Sequence, residues 1–163
     1  MMDRKDITRV LGGSLAGGGF EGRGRRFRLA WHNLVWLVEL DMVPRTERLG
    51  ISLGVCSAEL ASAGWPDRAN DCPIIFYPDG GGEPFGLDHW RAWQALDAAS
   101  DLADDARRLA LSEIGEAIAG LANRVTTLED LKQMAAGGQL RGFVRKDARI
   151  LLEGGDMENG PMG

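Results

Sequence analysis

Residues Phe20–Val55, FEGRGRRFRLAWHNLVWLVELDMVPRTERLGISLGV, decide the fold. Within them Phe27, Leu29 and Trp31 alternate with Arg26, Arg28 and Ala30. Leu34, Trp36, Val38 and Leu40 alternate with Val35, Leu37 and Glu39, and Leu49, Ile51, Leu53 and Val55 alternate with Gly50, Ser52 and Gly54. Successive side chains on a strand point to opposite faces, so this period of two predicts three strands, a sheet buried on one side that lays one apolar face on a shared core. Trp31-His32-Asn33 predicts a tight hairpin, and the polar stretch from Asp41 to Arg48 around Pro44 predicts a longer surface turn. The face carrying Gly50, Ser52 and Gly54 has two readings: open to solvent, or closely approached by another backbone.

Before this stretch, Ile7, Val10, Leu11 and Leu15 follow helical spacing over residues 3 to 16, with Asp3 or Asp6 as cap. Gly17, Gly18 and Gly19 stop that helix, and Phe20 is expected to tuck beneath the sheet. After it, Ala58 to Ala63 reads as one helical turn, Ile74 to Tyr77 as a fourth strand between Pro73 and Pro78, and Asp79 to Gly82 as a turn. Residues 88 to 98 read as a helix capped by Asp88, with Trp90, Trp93 and Leu96 on one face. A long helix is expected from Asp101 to Arg124, its apolar stripe made by Leu111, Ile114, Ile118, Leu121 and Val125 and widened by Leu102 and Leu109. Thr127 and Asp130 have capping-box spacing for another helix that stops at Gly137-Gly138, and a short helix is expected from Val144 to Leu152. The fold class is therefore α+β: an N-terminal helix first, then an antiparallel meander of three or four strands with helices packed on one face. One domain is expected over residues 1–153, with 154–163 as a disordered tail.

A chain of 163 residues needs no disulfide or metal staple to hold a core. Its net charge of −5 argues against general nucleic-acid affinity, which needs a clustered positive field. Two cysteines, Cys56 and Cys72, are too few for a disulfide framework or a zinc site. The N-terminal segment lacks the apolar core of a signal peptide, and no apolar run reaches the roughly 18–20 residues that span a bilayer. The expectation is a cytoplasmic protein with no membrane, metal or cofactor.

Candidate chemistry is sparse. Gly17, Gly19 and Gly22 match the letters of a dinucleotide fingerprint, but that motif needs a strand before it and a helix after, the reverse of the order here. Arg23, Arg25, Arg26 and Arg28 lie among Phe20, Phe27 and Trp31, a composition suited to nucleic acid. Phe27 and Trp31 belong to the buried face, however, so a charged strand edge is the simpler reading; this basic face also suits an acidic protein partner. Cys56 with His32 or His89 as thiol and base has no local support. Asp97, Asp101, Asp104 and Asp105 crowd the start of the long helix, where the helix dipole favours negative charge. The functional reading of that cluster is a partner-binding surface of Asp101, Asp104, Asp105 and Arg108, joined by Trp65, which lies between Gly64 and Pro66 with no periodic role. Trp31, Trp36 and Trp93 fit core stripes.

Gly19-Phe20, Gly24, Phe27 and then Ile51-Ser52-Leu53-Gly54-Val55 form a pattern that resembles the bacterial domain-of-unknown-function family 4304. The resemblance covers about residues 5 to 136, including the Thr-Leu-Glu-Asp-Leu segment at 127–131. Glu39 and Asp41 depart from it, standing where relatives more often carry uncharged polar residues. The resemblance supplies no catalytic residues; it implies a binding role, since some members look like immunity or antitoxin-type proteins. The functional expectation is a non-catalytic protein-binding module, such as an immunity protein that neutralises a basic bacterial toxin. The alternative is a small enzyme with its pocket near Gly50, Ser52 and Gly54.

Overall fold

The computed structural model describes residues 1–61, 64–80, 84–140 and 143–153. The first helix, α1 (Arg4–Gly17), starts on a capping box in which Asp3 accepts from the Asp6 N–H and Asp6 from that of Asp3, satisfying two backbone donors. Ile7, Leu11 and Leu15 form its buried stripe. Gly18 and Gly19 end it, and Phe20 turns into the core, 3% exposed.

Among the described residues six antiparallel strands follow in spatial order, β1 (Glu21–Arg23), β2 (Arg26–Ala30), β3 (Leu34–Met42), β4 (Leu49–Ser57), β5 (Ile74–Phe76) and β6 (Phe143–Val144). The sheet is thus larger than the three or four strands expected. β1 hides in the sequence because its three residues are all exposed and carry no alternation; Gly24, at φ +65°, closes its two-residue turn into β2. Val144, expected to open the last helix, lies instead in β6, and that helix begins at Lys146.

Opposed residues in an antiparallel pair share a face. Phe27 opposite Val38, Trp36 opposite Val55, and Leu53 opposite Phe76 place the large apolar side chains together. This is the face that meets α3 (Asp104–Arg124) and α1, with α2 (His89–Leu96) packed against α3. The Trp31 and Trp36 indoles donate at 2.9 Å to the Ala122 and Val125 carbonyls, filling acceptors that the end of α3 leaves open. The Ser14 hydroxyl of α1 donates to the Ser112 carbonyl of α3, 3.0 Å. Two further helices, α4 (Leu128–Ala136) on its Thr127–Asp130 capping box and α5 (Lys146–Leu152), follow among the described residues.

Burial of the sheet on one side only, as expected from the alternation, is corrected by the structure. β3 from Leu34 to Leu40 and β4 from Ile51 to Ser57 are buried at every position. The second face is covered by the connection between β4 and β5, which makes single 3-10 turns at Ala58–Leu60 and Ala69–Asp71. At Gly54 a Cβ would lie 2.5 Å from the Ala69 carbonyl oxygen and 2.6 Å from Cys72 Sγ, so the small residues there are small because another backbone lies on them. One buried cluster runs from Met2 to Leu152. Ser62, Ala63, Gly81, Gly82 and the expected tail at 154–163 lie outside the described residues.

Candidate functional site: a basic groove between α1 and the first hairpin

Beside the buried stripe of α1, Arg4, Lys5, Thr8, Arg9, Gly12, Gly13 and Ala16 flank, with the β1–β2 hairpin, a groove of about 740 Å³. One wall carries Arg4, Lys5 and Arg9; the other, at the hairpin turn, carries Arg23 and Arg25; Phe27, Met42 and Leu49 close the floor. No carboxylate lines it. Arg9 is held by Asp6 at 2.7 Å and Arg4 by Glu47 at 3.3 Å, both at the rim. Lys5, Arg23 and Arg25 are exposed and make no ion pair among the described residues. The volume lies in the range of ligand sites, roughly 300–1,000 Å³, and its charge selects an anion.

The four arginines read together from the sequence are divided by the sheet. Arg23 and Arg25 reach the groove, whereas Arg26, paired with Glu39, lies on the second face and lines a separate hollow with Trp65, Arg68 and Arg145. Phe20 and Phe27 are buried, 3% and 6% exposed, and offer no open ring to a base.

The expected partner surface assembles only in part. Asp101, Asp105 and Arg108 are exposed at the start of α3, and Asp104 beside them accepts the Met2 N–H at 3.1 Å. The Asp cluster thus has an internal task in tying the N-terminal segment to α3. Trp65 is 42% exposed but stands across the sheet from these groups, among Arg26 and Cys56. Trp93 is no core residue. It is 37% exposed, with the Arg48 guanidinium 3.5 Å above its ring and His89 edge-on to it, while Ala92, Ala95 and Leu96 form the inner side of α2. Leu109 likewise points outward, 56% exposed.

The pocket expected beside Gly50, Ser52 and Gly54 is filled. Ala69 and Cys72 occupy the space at Gly54, and Val43 and Asp79 approach Gly50. The covering segment is clamped by Glu39, 3% exposed, which accepts a forked pair of hydrogen bonds from Arg68 at 3.0 and 3.2 Å and one from the Ala69 N–H at 3.0 Å. Burial opposes ionisation of Glu39, but Arg68, the Ala69 N–H and the positive charge of Arg26 outweigh it and hold the carboxyl below its ordinary range. Beneath the clamp, burial pushes the Cys56 thiol up to about 11 and the Cys72 thiol up to about 12. Both are protonated at neutral pH, unsuited to attack, and donate to the Ser57 and Arg68 carbonyls. His89 instead donates through Nδ1 to the Asp79 carbonyl, 3.1 Å, and His32 is exposed in its hairpin.

Two buried cations also escaped sequence reading. Arg48 pairs with Asp79 at 2.9 Å. Arg107, fully buried, reaches the carbonyls of Gln94, Ala95 and Asp97 at 2.8–3.0 Å and the carbonyl and hydroxyl of Ser100 at 3.1 and 3.0 Å. It caps the negative end of α2. Among the described residues no three His, Cys, Asp or Glu side chains converge as metal ligands, and no helix is long and apolar enough to cross a membrane. No known protein family, curated protein or solved structure matches the chain.

Proposed function

We propose that the chain is a non-catalytic protein-binding module whose partner presents an acidic surface to the groove between α1 and the β1–β2 hairpin. One observation carries this reading: five cations, of which Lys5, Arg23 and Arg25 make no ion pair among the described residues, and no carboxylate line a groove of about 740 Å³ on a protein whose net charge is −5. Like charges gathered on a chain of opposite net charge cost self-repulsion, which an anionic partner relieves on docking. An immunity protein is then a special case, in which the toxin offers an acidic segment rather than a basic one. Two buried, protonated thiols suit a reducing compartment such as the cytoplasm.

The test is affinity capture from host lysate with three baits: the wild-type chain, Arg23→Glu/Arg25→Glu, and Asp101→Asn/Asp105→Asn. An acidic protein held by the first and third baits and lost from the second supports the proposal. A protein lost from the third bait and kept by the second would move the partner surface to the start of α3.

A further inference from the structure

We infer that the occupant of the groove is an acidic amphipathic α-helix of the partner, laid along α1; this rests on the binding role proposed above. The α1 residues lining the groove run from Arg4 to Ala16, about 18 Å at 1.5 Å per residue, or three helical turns. Cations stand on both walls, Lys5 and Arg9 on one side and Arg23 and Arg25 on the other, with an apolar floor between them. A ligand with one anionic head would engage one wall. A helix with a central apolar ridge and carboxylates on both flanks engages the two walls and the floor together.

Gly13 points the same way. It sits inside α1, where glycine is less favourable than alanine, yet a Cβ there would meet nothing within 4 Å. Its neighbour Gly12 has an internal reason, since a Cβ would lie 2.9 Å from the Phe27 ring. Gly13 has none within the chain, and its missing side chain lets a second helix come close to the α1 backbone. A single strand of nucleic acid fits less well, because Phe27 is covered and provides no stacking platform.

The experiment titrates the full chain, by calorimetry, with a synthetic peptide of about 15 residues that places Leu at helical spacing and Glu on both flanks. The comparisons are a same-composition scramble without that spacing and a single-stranded oligonucleotide. The ordered peptide should bind at least about tenfold tighter than either. Gly13→Leu, whose Cβ would meet nothing within 4 Å and which improves helix propensity, should weaken the peptide about tenfold without lowering the melting temperature. Equal binding of peptide and scramble would overturn the helix while leaving an anionic partner in place. Tighter binding of the oligonucleotide, or an unchanged affinity in Gly13→Leu, would also overturn the helix. Failure of both peptides to bind, or affinities indifferent to Arg23→Glu/Arg25→Glu, would overturn the groove's binding role as well.

Discussion

Neighbouring glycines of α1 separate structure from function residue by residue. Gly13→Ala meets only open space and should raise stability by about 1 kcal/mol, whereas Gly12→Ala, pressed 2.9 Å from the Phe27 ring, should lower it. Denaturant midpoints moving in opposite directions would check the pair. Arg107 is the other telling position. Its guanidinium supplies donors to the carbonyls of Gln94, Ala95, Asp97 and Ser100 in a fully buried site. Arg107→Ala strands those acceptors and should cost about 3–5 kcal/mol; Arg107→Lys, with a compact ammonium in place of a planar fork, should recover only part. Chemical denaturation of both variants checks this. Neither residue was legible in the sequence, where Gly13 is one of many glycines and Arg107 one charge on a helix rich in charge.

Among the elements, those whose pattern states both period and partner were readable. α1 announces itself by Asp3, Ile7, Leu11 and Leu15, and α4 by Thr127 and Asp130; β3 and β4 follow from alternation. β1 and β6 were not, because strands of three and two residues take their identity from the strand they pair with rather than from their own side chains. The same limit hid the groove. Arg4, Lys5 and Arg9 share one side of a predictable helix, but only the chain's return through the β1–β2 hairpin brings Arg23 and Arg25 opposite them. Of the two readings the sequence left for the second face, close approach by another backbone holds at Gly54; which segment supplies the cover was not legible, since the connection from β4 to β5 shows no periodicity and is held by one buried acid. That gives it a specific weakness. Arg68→Ala removes the forked bonds to Glu39 and should loosen the segment over Cys72. Cys72 should then react with a thiol reagent well above the wild-type rate, as peptide mapping would show.

For the molecule as a whole, two consequences of its charge can be measured. Glu39, Asp130, Asp3 and Asp147 all have carboxyls held below the ordinary range. Burial opposes ionisation of Glu39 and is outweighed by Arg68; the Thr126 N–H leads at Asp130, the Asp6 N–H at Asp3, and Arg145 at Asp147. The folded chain therefore binds fewer protons than the unfolded one through the acid range. The stability these groups add is complete above their unfolded values and disappears as pH falls through their folded ones. Melting temperature should hold near neutrality and drop below about pH 4; Glu39→Gln should melt lower at pH 7 and lose less on acidification. The second consequence is the binding claim itself. Its most direct test is a map of backbone amide shifts in the full chain as the captured acidic partner is added. If the groove binds the partner, shifts concentrate on Arg4 to Ala16 and on Gly22 to Arg25 and fade as salt is raised. Shifts gathered at Asp101 to Arg108, or around Trp65, with the groove silent, would contradict it.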